Sequence, residues 1–246
     1  MPAELPDLST LSYLERYGYL PPGAAGPDLD VDTVAHALAR FQDRMNVPVT
    51  GRVDADTRSE LEAARCGMPD LVNGLALKAL CPWDGPELRY AFGAPCTNYE
   101  GAFEAVERAA STWAGVLPFV LRRVESTQEP DVMVEWRPAQ DPDHSMVGTV
   151  VAHADFPGPC WTITEAPPKP LHFDDDESIW ADGAIRGAFD VETVALHEFG
   201  HLLGLAHTQV PGAVMYPRVR HHYVLRELQP DDLDQVCSLY PASVPT

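Results

Sequence analysis

The chain has 246 residues, enough for one or two domains with a substantial core. Its 37 acidic side chains outnumber its 17 lysines and arginines, and the net charge of -20 argues against nucleic acid or an anionic membrane surface as partner. No apolar run approaches the ~20 residues of a membrane span, and the N-terminal stretch lacks the basic and apolar regions of a secretory signal. The cysteines are Cys66, Cys81, Cys96, Cys160 and Cys237, an odd count that leaves at least one thiol outside intramolecular disulfides. With Cys66 as that thiol, the other four either form two bridges, in a pairing the sequence does not specify, or stay reduced.

In chain order, Leu11, Leu14, Tyr17 and Leu20 recur at helical spacing and predict a short helix over 9–20. After the loop PPGAAGPD, Asp30 or Asp32 caps a second helix whose apolar face is Val34, Leu38 and Phe41. The turn-rich NVPVTGRVDADT then leads to a third helix near 55–65, started by Asp54 or Asp56. These three helices resemble the peptidoglycan-binding-like domain, above all in ALARFQDRMNVPVTGRVDADTRSEL. That resemblance implies either cell-wall binding or service as a prodomain.

The next residues, Arg65-Cys66-Gly67-Met68-Pro69-Asp70, favour the second use. A thiolate is a strong zinc ligand, Gly67 admits close backbone approach, Pro69 stiffens the segment, and Arg65 and Asp70 are of opposite charge. The segment resembles the cysteine switch of matrix metalloproteinase propeptides, PRCGxPD, with Ala64 in place of the first proline. The expected division is a prodomain over 1–70, a linker and activation region over 71–86, and a catalytic domain over 87–246.

Strand patterns start near 89–92 and recur over 119–124, 132–136 and 147–154 and around His172. Between the first two lies an amphipathic helix over 99–113, with Phe103, Val106, Ala110 and Trp113 on one face. Strands around a long helix, followed by a second helix, predict an α+β fold.

That second helix carries H-E-x-x-H-x-x-G-x-x-H: His197, Glu198, His201, Gly204 and His207. Residues four apart share a helix face, so His197 and His201 are able to point at one ion. Continuing the helix would carry His207 away, and Gly204 solves this by turning the chain back in the left-handed conformation. Three neutral nitrogens with an open fourth position describe a catalytic zinc site, with Glu198 as general base towards the attacking water. Met215, eight residues after His207 in AVMYP, resembles the Met-turn of metzincins, which implies a methionine flooring the site. Cys66 would take the water's place.

Residues 88–240 resemble the matrixin catalytic domain, a metzincin, which implies a twisted, mostly parallel sheet above the active-site helix. The resemblance implies a secreted, extracellular zinc endopeptidase, monomeric, acting on protein or peptide substrates. It also implies a structural zinc held by His153 and His172, for which Asp143 and His144 stand in, in reversed order, for the family's His-x-Asp pair. Asp174 and Glu177 match calcium-binding carboxylates, and oxygen donors suit that hard cation. Either Asp231 or Asp232 matches the family's acceptor of a new N-terminal ammonium; as helix-start acids they need no such role. Substrate is expected to lie extended beside residues 151–154. A pocket walled by 217–223 takes one of its side chains, with Arg218, Arg220, His221 and His222 making a polar rim. The competing reading is a cell-wall-binding protein using residues 9–65, against which stands the intact Glu198.

Overall fold

Aspartates start the three N-terminal helices in the computed structural model, which describes residues 5–24, 29–72, 74–76, 81–158 and 163–241. Asp7 accepts from Thr10 N ahead of α1 (Leu8–Arg16), Asp30 from Thr33 N ahead of α2 (Val31–Arg44), and Asp54 from Thr57 N ahead of α3 (Ala55–Leu61). Each satisfies a backbone donor that the helix cannot, so the pattern D-x-x-T marks all three beginnings. Asp32 and Asp56 sit instead in the first turns, beside the positive end of the dipole.

The first helix ends sooner than its spacing predicts. Gly18 takes φ +83°, and Tyr19 and Leu20 fold back to bond the Leu14 carbonyl, so Leu20 is buried from a turn. In this unit, Met1–Ala63 with Pro69–Leu77, the rings of Tyr13 and Tyr19 each meet Phe41 edge-on at 5.5 Å. Fully buried Gln42 organises the connector: it accepts from Thr50 N and Gly51 N and donates to Arg52 O and Thr57 Oγ1.

The second unit comprises Ala64–Met68 and Lys78–Thr246. Its elements in chain order are β1 (Arg65–Cys66), β2 (Glu87–Phe92), α4 (Ala102–Ala114), β3 (Val120–Arg123), β4 (Val132–Arg137), β5 (Val150–Ala154), β6 (Lys169–Asp174), β7 (Trp180–Ala181), β8 (Phe189–Asp190), α5 (Val191–Leu202) and α6 (Pro230–Leu239). Six strands form one sheet in the order β1-β5-β6-β4-β2-β3, parallel throughout except for the β5–β6 pair. The expected α+β architecture with a mostly parallel sheet is present.

Helix α5 is buried along its whole length, and it too begins with D-x-x-T, Asp190 accepting from Thr193 N. α4 packs on it, and the Trp113 indole donates to Leu196 O at 2.8 Å, which ties the two helices together inside the core. That core includes Leu88, Val106, Val134, Leu171 and Phe199. The third helix stops at Leu61 rather than near 65, and Arg65–Cys66 pairs with β5 as a strand. A two-residue strand has too little length to show a period, so β1, β7 and β8 left no pattern in the sequence.

Candidate metal centre and cleft

His197 and His201 project from one side of α5, and the helix ends one residue after His201. Gly204 then takes φ +88°, and a Cβ there would lie 2.0 Å from the Cys81 carbonyl oxygen. Glycine is required both for the left-handed turn and for that close approach. The turn brings His207 back. Its Nε2 lies 3.2 Å from that of His201 and 3.3 Å from that of His197, and the latter two are 3.1 Å apart.

The far nitrogens explain the orientation. His197 Nδ1 lies 2.6 Å from Val214 O and His201 Nδ1 lies 2.8 Å from Leu205 O. A carbonyl only accepts, so both Nδ1 atoms carry hydrogen and both Nε2 lone pairs face the cluster. Lone pairs at this separation repel unless a cation lies among them. Zinc–nitrogen bonds of about 2.0–2.1 Å in a tetrahedron put neighbouring nitrogens about 3.3–3.4 Å apart, so the three imidazoles fit zinc.

Cys66 completes the group. Its Sγ lies 3.4 Å from His201 Nε2, and the four ligand atoms all lie within 4.8 Å of one another. Met68 N donates to the same sulfur at 3.4 Å. Glu198, buried beside the cluster, accepts from the thiol at 3.6 Å. Burial pushes the Glu198 carboxyl up to about 8, and burial followed by the charge of Glu198 pushes the Cys66 thiol up as well. A cation at the cluster opposes both shifts.

Met215 is fully buried, and a Cβ at Gly200 would meet its Sδ at 2.2 Å. The glycine within α5 is thus what lets the methionine come close. Asp232 fixes that turn by accepting from Val214 N at 2.9 Å and Met215 N at 3.0 Å while closing the start of α6 through Gln229 N. Val151, Val194, Glu198, Arg218, Arg220 and Tyr223 are among the residues lining the adjoining pocket. The His221 ring instead packs on Phe189, with centroids 4.1 Å apart.

A second buried cluster lies at the β5–β6 pair. Asp141 Oδ2 is 3.2 Å from His153 Nε2 and 2.6 Å from His172 Nδ1. Burial alone would raise the Asp141 carboxyl, but the bonds from the two imidazoles hold it well below the usual carboxylate range. Burial pushes His153 down to about 4. A carboxylate facing two imidazoles is a donor set suited to zinc.

Residues 83–241 match the family model for matrixin. The chain belongs to the matrixin family. It is 31% identical over 241 residues to matrix metalloproteinase-19 of Mus musculus, covering 94% of this chain and 44% of that protein. To metalloendoproteinase 5-MMP of Arabidopsis thaliana it is 31% identical over 260 residues, covering 93% of this chain and 69% of the relative. To the hatching enzyme of Paracentrotus lividus it is 31% identical over 234 residues, and there the chain spans only 38% of the relative's length. Residues 12–61 separately match a peptidoglycan binding domain model.

In this matrixin the structure brings Cys66, His197, His201 and His207 together, with Glu198 against the Cys66 thiol and Met215 against Gly200 of the same helix. At the second cluster it brings Asp141 to His153 and His172, a residue that sequence reading missed. Asp143 stands 3.9 Å from His172 on a more exposed side chain, and His144 directs Nε2 to the Gly67 carbonyl. The missed signal lay in D-P-D, where the first of two nearby aspartates is the buried one. Asp174 accepts from Asp176 N, Glu177 N and Ser178 Oγ, and Glu177 accepts from Gly148 N. Among the described residues, two groups gather three or more potential ligand atoms, and neither includes Asp174 or Glu177. Asp231 accepts from Gln235. Cys81 is disulfide-bonded while Cys96 and Cys237 are free thiols, so the four cysteines neither form two bridges nor all stay reduced; Cys160 lies outside the described residues.

Proposed function

We propose that this matrixin is a secreted, latent zinc endopeptidase that hydrolyses internal peptide bonds. The observation that carries the reading is the convergence of three imidazole Nε2 atoms within 3.1–3.3 Å, closed on the fourth side by the Cys66 thiol. Zinc held by His197, His201 and His207 supplies Lewis acidity to a scissile carbonyl and acidifies water. The Val214 and Leu205 carbonyls keep two of the rings in the tautomer that binding requires. Glu198 takes a proton from the water as its oxygen adds to the scissile carbonyl carbon, and then delivers that proton to the amine nitrogen as the C–N bond of the tetrahedral adduct breaks.

Substrate lies extended along β5, adding a strand to the sheet, and sets one side chain into the pocket lined by Val194, Arg218 and Tyr223. With Cys66 in the cluster, the position needed by water is filled. In this reading residues 1–70 are the prodomain, 71–86 the activation region and 87–246 the catalytic domain. The match over 12–61 supports a polymer-binding use of the prodomain beside that role. A structural zinc belongs at Asp141, His153 and His172. Calcium at Asp174 and Glu177 draws less support, because both carboxylates already accept from backbone N–H groups.

The test treats pure protein with a thiol-modifying reagent and follows cleavage of a generic peptide. Cleavage should appear on treatment and vanish with a chelator, and Glu198→Ala should retain zinc while losing hydrolysis. Binding to cell-wall polymer without any peptide cleavage would overturn the reading.

A further inference from the structure

We propose that His144 is a peptide-binding residue that donates to a main-chain carbonyl in the cleft, holding the switch segment in the latent chain and substrate in the active one. The proposal rests on the endopeptidase reading. Ala64–Met68 lies as a strand between two walls, β5 with its approach and residues 217–219. Arg65 N donates to Thr149 O at 2.8 Å, Gly67 N to Ala152 O at 2.8 Å, Cys66 N to Pro217 O at 3.1 Å, and Val219 N to Ala64 O at 3.2 Å. All four bonds are main chain to main chain, so any extended peptide is able to make their like. The Gly67 carbonyl is held differently, 2.9 Å from His144 Nε2.

Because that oxygen only accepts, His144 Nε2 carries a hydrogen. A nitrogen so occupied offers no lone pair to a metal, and the cluster of Asp141, His153 and His172 gathers without it. The ring also shapes the residue opposite. A Cβ at Gly67 would come within 2.9 Å of Val150 Cγ1, 3.2 Å of His153 Cβ and 3.3 Å of His144 Cδ2. Glycine at 67 is therefore matched to a wall of which His144 is one part.

The ring is carried by a loop that is anchored on both sides of it. It stands on the loop joining β4 to β5, pinned before it by Asp141 on two imidazoles and after it by Gly148 N on Glu177. A donor held by its own loop, not by the peptide it meets, remains in position when the switch segment leaves. A substrate strand taking the vacated place presents carbonyls along the same line.

Two backgrounds test the role. In the latent chain, His144→Ala should raise the reaction rate of Cys66 with a small disulfide reagent about five- to tenfold, as expected for one lost hydrogen bond. The Cys66→Ser chain measures the contribution of the other thiols. In Cys66→Ser, adding His144→Ala should raise KM for a generic peptide about five- to tenfold while kcat changes less than twofold. His144→Gln, which keeps an N–H donor, should recover most of both effects and serves if the alanine variant does not fold. Unchanged thiol reactivity and KM would overturn the proposal, as would loss of a zinc equivalent on His144→Ala, which would make the ring a ligand. If Cys66→Ser cleaves no peptide at all, the endopeptidase reading fails, and the thiol rates alone then decide whether His144 holds the switch segment.

Discussion

At the metal cluster two of the three imidazoles, those of His197 and His201, are committed on their far sides. The bonds from His197 Nδ1 to Val214 O and from His201 Nδ1 to Leu205 O fix ring orientation, so little ordering remains for binding to impose. Cys66 meets the cluster from outside that helix and turn, on the two-residue strand β1, with its sulfur 3.4 Å from His201 Nε2. A hydroxyl is a much poorer zinc ligand than a thiolate, so Cys66→Ser should cleave peptide without any activating treatment; full latency in that variant would remove the switch assignment. The histidines and Glu198 were legible in sequence because helical spacing and one glycine dictate their convergence. Asp141 was not legible. It reaches His153 and His172 from a loop, where no period relates sequence position to direction.

Helix beginnings were legible at α2 and α3, where the sequence offers two aspartates each and the structure uses the first of each pair. Four helices, α1, α2, α3 and α5, share D-x-x-T, and in each the aspartate accepts from the threonine amide. Helix ends were less readable, since α1 stops where Gly18 admits a left-handed turn although the apolar spacing continues to Leu20. The connector between α2 and α3 depends on one side chain. Gln42 is fully buried and makes bonds to Thr50, Gly51, Arg52 and Thr57, replacing a regular element with a polar hub. Gln42→Ala strands several of those groups and should destabilise the N-terminal unit by about 3 kcal/mol in denaturant unfolding. A change below about 0.5 kcal/mol would mean that water replaces the amide.

At the scale of the whole molecule, several carboxylates that serve structure contribute to the acid response. Bonds from the Thr57 hydroxyl and amide hold Asp54 down at about 2, and bonds from Thr10 and Thr33 lower Asp7 and Asp30. At Asp190 burial works upward, but Arg226 and Thr193 outweigh it and the carboxyl sits below its ordinary value. A folded-state pKa below the unfolded one stabilises above the unfolded value and is lost as pH falls through the folded value. Melting temperature should therefore fall as pH drops from near the ordinary 3.8 towards about 2, where Asp54 titrates. Asp54→Asn keeps a capping oxygen that does not titrate and should make this acid limb shallower; an identical limb would remove Asp54 from the account.

The two-residue strand β1 has one more consequence at this scale. It lies at the outer margin of the six-stranded sheet, where it covers β5. Without Arg65–Cys66 beside it, the run Val150–Ala154 would be a sheet margin with unpaired amides and carbonyls. Such a margin is a template for another copy's strand as much as for a substrate. Arg65–Cys66, by pairing with β5, covers that margin against both.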